Sequence, residues 1–561
     1  MSKNTPANVL AFLENKTNDY KDRVALGMKD HYGWSEYTYY GLSLMSRKIA
    51  SYLMNDLDIK KEERVALISE SRIEFGAVFF ASIIAGTTLV PLDIKLTAHE
   101  MTSILSNCEP TVIFVSKAHL KMALQIKETV NSVKHVILID NAVNEGEVKS
   151  IYSFPDNYEA KFRHRSLHSV ALIIYTSGTT GNPKGVMTTF GNILAQITDL
   201  KKEFGDIFKK NEQINTLSIL PMNHLFELTV GFASFLNMGY SIYYSDNLRP
   251  KNVLNVIKSK KIKFMCTVPS FFKMLKLQFE SDVAKSSKFR RFMYNINYHY
   301  IAKYLPFKPL KKLLFRSIHQ NFGNQFFGFL SGGAPMDLEM GKYFKRIGIG
   351  VYQGYGLSET SPVVTVDFSK DADMKSAGHK LSSYEVKIDK ETNELMVKGP
   401  SVMKGYYKQP ELTAEVIEPD GWLHTGDIAE IDNKGRIYIT GRIKNMIVLP
   451  GGKKVFPEEV EKALDSSDLF KEYCVLSTVK QAGEKKGTEE VTAVIVPKDE
   501  LYDKYDDTTV ENLIITEVKK MTQKLTQYKR PTNIIVRKEE LPKTATRKMK
   551  RKEIKQLVEA K

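Results

Sequence analysis

Between Arg64 and Ser331, short apolar runs rich in β-branched residues alternate with stretches whose apolar positions recur at helical spacing. That alternation predicts strands and helices arranged in α/β layers. Residues 65–68, 88–92, 112–115 and 136–139 read as strands. Two long uncharged windows, 75–92 and 228–245, come close to the length of a membrane span. The first runs through Gly86, Thr87 and Thr88, and the second holds Gly231, Asn237 and Gly239, so each reads as a buried helix turning into a strand. From 381 to 440 the pattern changes to short alternating strands with turns, at 385–388, 394–397 and 437–439, which predicts a small β-rich subdomain. After Gly441 and Arg442 it becomes α+β, with a helix over 457–464 and a strand over 491–496. The expected fold class is α/β. A large N-terminal domain, residues 1–443, holds the layered α/β subdomains and the β-rich one, and a smaller α+β domain follows over 444–561.

One segment breaks the mixture of charges. No acidic residue lies between Asp282 and Asp337, whereas Lys285, Lys288, Arg290, Arg291, Lys303, Lys308, Lys311, Lys312 and Arg316 do. Phe289, Phe292, Met293, Ile296 and Tyr300 recur at helical spacing, and Leu310, Leu313, Leu314 and Ile318 do so after Pro306 and Pro309. Two basic amphipathic helices joined by a proline-bearing turn are expected over 285–320. Their apolar faces belong to the core, or they meet an anionic membrane surface, with nucleic acid a weaker third partner.

The chain has 561 residues and a formal net charge of +16, which favours anionic partners such as nucleotides, CoA or phospholipid head groups. Its three cysteines are far apart and form no CxxC, so neither a disulfide framework nor a zinc site follows. Residues 1–17 lack the apolar core of a signal peptide. The expected location is cytoplasmic, with the basic segment a candidate for peripheral contact at a membrane surface. No DNA- or RNA-binding motif is present, and no nucleic acid is expected as a partner.

The densest chemistry begins after an apolar run, 170–174, that reads as a buried strand. Tyr175, Thr176, Ser177, Gly178, Thr179, Thr180, Gly181, Asn182, Pro183 and Lys184 follow. Small residues leave backbone N–H groups uncovered, and hydroxyls with one lysine can complete a cradle for phosphate oxygens. It is not a Walker A loop, because Gly185 follows Lys184. Further along stand Ser331, Gly332, Gly333, Ala334 and Pro335, then Gln353, Gly354, Tyr355, Gly356, Leu357, Ser358, Glu359 and Thr360. Glycines allow a flat ligand close to the backbone, Tyr355 offers a stacking face, and Glu359 is a hard oxygen ligand suited to magnesium. Taken singly, Tyr355 reads as a core aromatic and Glu359 as a solvated carboxylate. Residues 421–427 end in His424, Thr425, Gly426 and Asp427, and Gly441, Arg442, Ile443 and Lys444 come next. Aspartate can accept both hydroxyls of a ribose, and a nearby arginine can donate to sugar or phosphate.

Together these strings resemble the acyl-adenylate-forming superfamily of acyl-CoA synthetases, luciferases and adenylation domains. The string Leu541, Pro542, Lys543, Thr544, Ala545, Thr546, Arg547, Lys548 resembles its last core motif, with Arg547 where many members have glycine. The resemblance spans nearly the whole chain. It implies ATP-dependent activation of a carboxylate to acyl-AMP with release of pyrophosphate, then transfer to a thiol, normally CoA. By the same resemblance Thr176 to Lys184 hold the triphosphate, and Glu359 with Thr176 binds Mg²⁺. Gly333, Ala334, Gln353, Gly354 and Tyr355 frame adenine, with Ser358 near phosphate, while Asp427 and Arg442 hold ribose. Lys444 is the hinge of a mobile C-terminal domain, Lys548 is the catalytic lysine, and His224 lies beside the acyl carbonyl. His224 alone reads as structural. Leu225, Phe226, Leu228, Phe232 and Phe235 after it suit an acyl pocket or core packing equally. The basic insert and residues 441–445 look most like the long-chain fatty acyl-CoA synthetase branch. A fatty acid–CoA ligase for medium to long chains is therefore expected. The alternatives are an enzyme that loads an acyl carrier protein or takes another apolar acid, and a catalytically silent nucleotide- or lipid-binding relative.

Overall fold

The computed structural model describes residues 9–30, 33–141, 143–176, 183–205, 207–208, 212–245, 247–305, 307–369, 372–449, 453–465, 467–480, 488–543 and 549–559. The chain divides into two compact units. The first takes in Met1–Met336, Met340–Glu385 and Val397–Leu423, and the second takes in Asp337–Glu339, Val386–Met396 and His424–Lys561. The boundary expected near Lys444 falls inside the second unit, which also takes in residues 386–396 and 424–443 of the β-rich stretch.

In the first unit, Arg64–Ile68, Thr88–Leu92, Val112–Val115 and His135–Leu138 pair in parallel, within a residue of the strands expected from the sequence. Val170–Thr176 joins them in parallel and then folds back on Lys184–Thr189 as an antiparallel pair. A second parallel array runs in the order Gly350–Tyr355, Gly328–Ser331, Phe264–Thr267, Asn215–Ser218, Ser241–Tyr244 and Val24–Asp30. These strands are buried and nearly free of charge, as expected of parallel strands covered on both faces.

Both long uncharged windows are helix-to-strand passages. Ile73–Ala85 is buried along its whole length, ends on Gly86 in the left-handed conformation (φ 70°) and leads into Thr88–Leu92. Phe226–Ser234, a helical stretch with π-type hydrogen bonding, continues through Phe235–Asn237 and turns at Gly239 (φ 77°) into Ser241–Tyr244. The two helices meet at Gly76, where a Cβ would stand 2.7 Å from Leu26 and 3.0 Å from the Phe232 ring. Phe79 and Phe80 pack on that same ring at 5.5 and 5.8 Å. Burying each such aromatic contributes about 1.5–3 kcal/mol. Among the described residues no helix is long and apolar enough to cross a membrane.

The second unit holds the strands Phe470–Val479, Glu489–Pro497 and Asn533–Val536, and the helices Pro457–Leu464, Asp507–Thr522 and Arg551–Glu559. Val460, Leu464, Val475, Val491, Ile495, Val510, Ile514 and Val518 form its core. Arg551 fastens the last helix by a two-point pair with Glu461 at 2.5 and 2.7 Å, a geometry that only a planar guanidinium supplies.

One acid is buried where the sequence is otherwise apolar. Glu227 is 1% exposed, beside Ser218, Tyr244 and Cys266, and a Cβ on Gly231 would fall 2.4 Å from its Oε1. Burial pushes its carboxyl from 4.5 up to about 8. The folded chain therefore keeps a proton that the unfolded chain releases near 4.5, and stability from this group, complete below that pH, falls as pH rises toward 8. Glu227→Gln removes the titration and keeps the shape. Unfolding free energies from denaturant curves measured from about pH 5 to 8 should fall less steeply in the variant, by on the order of 3 kcal/mol across the range. Equal slopes would mean that Glu227 is ionised in the fold.

Candidate active site

The site of the first unit is built at the carboxyl ends of parallel strands, where open α/β sheets bind ligands. Register sets Thr267 beside Ser331 and Ser331 beside Gln353. The hydroxyls of Thr267 and Ser331 are buried with no hydrogen-bond partner among the described residues. Such atoms call for water or a ligand group. Immediately beyond, Gly333 takes a left-handed backbone (φ 79°), and Gly333 and Ala334 are exposed. Gly354 and Tyr355 close the neighbouring strand against Val366 and Thr365. The Gln353 amide donates to the carbonyls of Met374 at 2.7 Å and Ser376 at 3.3 Å, so it braces the segment beside this edge. Gly356 admits no side chain: a Cβ there would lie 1.7 Å from the Pro362 carbonyl oxygen.

Ser358 and Glu359 share the short helical turn Ser358–Thr360, and the backbone carbonyl of Glu359 accepts from Met403 N–H at 2.8 Å. The Glu359 carboxylate accepts from the Tyr406 hydroxyl at 2.8 Å. Burial, and then the carboxylate itself, drive the Tyr406 phenol far above its usual range, so it stays a donor. Its ring carries the Lys184 ammonium 5.1 Å from the centroid, within cation–π range. No ion pair joins Lys184 to Glu359 among the described residues. Thr176 stands opposite Lys184 across the antiparallel pair, so the intervening connection begins and ends at one place. Ser177, Gly178, Thr179, Thr180 and Gly181 lie outside the described residues. The structure thus brings Lys184, Glu359 and Thr176 to the ends of one loop system, with Tyr406 as a member that the sequence reading missed. Gly405–Tyr406 is a two-residue edge strand with no motif of its own.

His224 opens the turn before the helix beginning at Phe226; its carbonyl accepts from Leu228 N–H at 3.0 Å. The Phe226 ring lies against Gly332, where a Cβ would come within 2.9 Å. That contact puts the start of this helix at the Gly332 edge. Leu225, Leu228, Phe232 and Phe235 are 1–2% exposed and pack as core.

In the second unit Asp427 and Arg442 face each other in antiparallel register, with Arg442 Nε 2.7 Å from Asp427 Oδ1. The aspartate side chain is 2% exposed and the arginine 37%. Glu394 fixes the approach: it meets His424 Nδ1 at 2.8 Å and accepts from Gly426 N–H at 2.7 Å. Gly426 takes φ 70°, and the Thr425 hydroxyl donates to the Leu395 carbonyl at 2.6 Å. Lys444 is exposed in the turn Ile443–Asn445. Lys548 lies outside the described residues; on either side of it Lys543 and Met549 pair as an antiparallel bridge.

The Glu359 carboxylate and the Thr176 hydroxyl are oxygen donors of the kind suited to a magnesium ion. It keeps several waters and takes one or two protein oxygens together with substrate phosphates. Among the described residues no group of three or more His, Cys, Asp or Glu offers a cage made by protein alone.

Comparison with known proteins agrees with this architecture. The chain is 28% identical to the long-chain-fatty-acid–CoA ligase of Salmonella typhimurium, over 92% of this chain and 89% of that one. It is also 28% identical to the chloroplastic long-chain-fatty-acid–[acyl-carrier-protein] ligase AEE15 of Arabidopsis thaliana, over 92% of this chain and 80% of the relative. The fold superposes on ATP-bound MatB from Rhodopseudomonas palustris with a TM-score of 0.78 and 22% identity, covering 99% of both chains. Residues 13–407 match the AMP-binding enzyme family. That span is most of the chain, and the chain belongs to this family of adenylate-forming ligases.

Proposed function

We propose that the protein activates a medium- to long-chain fatty acid with ATP and passes the acyl group to CoA. The observation that carries this reading is Tyr406 held between Lys184 and Glu359, which keeps a cation and a carboxylate apart at the end of a glycine- and threonine-rich loop. A site meant for a polyphosphate and its counter-cation needs both charges available. The fatty acid is supported by the activities for which the relatives are named and by an apolar chain's gain of about 0.8 kcal/mol per buried CH₂.

In the first half-reaction a carboxylate oxygen attacks the α-phosphorus and pyrophosphate leaves. Thr176, Ser177, Gly178, Thr179, Thr180, Gly181 and Lys184 hold the triphosphate, and Ser358 lies near phosphate. Gly333, Ala334, Gln353, Gly354 and Tyr355 frame the adenine, and Asp427 with Arg442 holds the ribose. Bound Mg²⁺, taken by Glu359 and Thr176, supplies neutralisation of phosphate charge. Lys548 stabilises the carboxylate and the charge developing at the α-phosphate. In the second half-reaction the thiol sulfur attacks the acyl carbonyl, beside His224, and AMP leaves. The moving part begins at Lys444 and takes Lys548 away between the two steps. Protein groups do little covalent work, so positioning and electrostatics dominate. A second reading, transfer to the phosphopantetheine of an acyl carrier protein, is favoured by the carrier-protein ligase among the relatives.

Pyrophosphate release with ATP and Mg²⁺, across acids from acetate to oleate and with or without CoA, tests the whole reading. A chain-length-dependent signal with an acyl-CoA product is expected. Acyl-AMP without turnover to CoA would favour the carrier protein, and silence with every acid would remove the fatty-acid claim. Lys548→Ala should lose adenylation by about 10²–10³-fold while still converting supplied acyl-AMP and CoA to thioester. Equal loss of both half-reactions would overturn that role. Glu359→Ala should raise the Mg²⁺ concentration needed for half-maximal pyrophosphate release, and an unchanged requirement would strike Glu359 from the metal site.

A further inference from the structure

We infer that the helical run over residues 288–304 and the helix Lys308–Leu314 form a docking surface for an anionic phospholipid membrane. The run is continuous through Lys288–Ile296, Asn297–Ile301 and Ala302–Tyr304. It has two aromatic faces, and among the described residues only one packs against the fold. On the inner face the Tyr294 hydroxyl stands 3.1 Å from that of Tyr343, Phe315 meets the Tyr294 ring edge-on at 5.7 Å, and the Arg346 guanidinium lies 5.2 Å from the Tyr298 ring. These contacts fix which way the helix faces.

The other face is apolar and open to solvent. Phe289 and Tyr300 are each 71% exposed and Tyr304 75%, and Phe292, Phe307, Leu310 and Leu313 are exposed as well. At about 100° per residue, Phe289, Phe292, Met293 and Ile296 fall within an arc of about 100°, with Lys288 beyond one border and Arg290 beyond the other. The four exposed aromatic rings of the run, Phe289, Phe292, Tyr300 and Tyr304, present on the order of 500 Å² of apolar surface, within the upper range for a patch on a monomer. Such a patch marks an interaction site.

Charge selects the occupant. Lys285, Lys288, Arg290, Arg291, Lys303 and Arg316 have no carboxylate partner among the described residues, and no acid occurs from 283 to 336. A second copy of the chain would bring like charges together around the stripe. Nucleic acid would meet phenyl and aliphatic groups at the centre, with cations only at the borders. A bilayer surface matches both parts: its acyl boundary takes Phe, Met and Leu, and its anionic head groups take the bordering cations. This docking does not depend on the substrate assignment. It would, however, set a fatty-acid site beside the phase in which such acids dissolve.

Flotation of the full chain with phosphatidylcholine vesicles, with and without about 30 mol% phosphatidylglycerol, tests the inference. Binding to anionic vesicles should exceed binding to neutral ones by about tenfold or more and should weaken in about 0.5 M salt. Lys288→Glu with Arg290→Glu should lower anionic binding by about tenfold or more. Phe289→Ser with Phe292→Ser should abolish it, and pyrophosphate release with a soluble short-chain acid should be unchanged in both variants. No binding to anionic vesicles, or binding indifferent to both double substitutions, would overturn the inference. So would a lipid-free dimer that Phe289→Ser with Phe292→Ser dissolves, or duplex DNA bound at this face in preference to vesicles. Vesicle binding by a chain that activates no fatty acid would leave the docking surface standing and remove only the substrate reading.

Discussion

The first unit depends on the meeting of two almost wholly apolar helices at Gly76 and Phe232. One helix links Arg64–Ile68 to Thr88–Leu92 in one sheet, and the other leads into Ser241–Tyr244 in the second. With no Cβ at Gly76 the Phe232 ring and Leu26 close on the backbone, and the two sheets share one interior. The same second helix begins at Phe226 on Gly332, so a packing contact deep in the core decides where His224 stands.

The second unit shows the same division of labour on a smaller scale. Asp427 is held nearly solvent-free opposite Arg442, and the strand that carries it is oriented by Glu394 through His424 and Gly426. Two carboxylates thus act in sequence. One spends its lone pairs on backbone and imidazole, and the other meets a guanidinium edge. On the proposed reading, a carboxylate so fixed would lose little freedom on meeting a ribose, which is the physical meaning of preorganisation.

Much of the fold was legible because strand patterns near 65, 88, 112 and 136 are short, apolar and bounded by turn residues. At Gly332 and Gly333 glycine answers to geometry, a ring against Gly332 and a left-handed backbone at Gly333, whereas Gly354 and Tyr355 end the strand Gly350–Tyr355. Tyr406 was not legible, since its importance comes from an edge pairing that brings it across to Glu359 from far along the chain. Glu227 carried a signal that could have been used, a lone acid inside Leu225–Phe235, because an ionisable group in an apolar run is costly without a reason. Periodicity found the basic helices but could not orient them. Their tyrosine face and their phenylalanine face are both apolar by pattern, and only the contact with Tyr343 and Phe315 decides between them.

The hydroxyl of Tyr406 also has a thermodynamic meaning. By taking the carboxylate of Glu359 while its ring takes the ammonium of Lys184, it prevents these two charges from quenching each other. The protein therefore folds with an unspent dipole at the mouth of a loop. A bare polyanion would relieve one pole and be repelled by the other, whereas a polyanion travelling with its own counter-cation relieves both. On the proposed reading, selection for the metal complex over the free nucleotide would then be set before any bond is broken, by one phenol between a cation and a carboxylate.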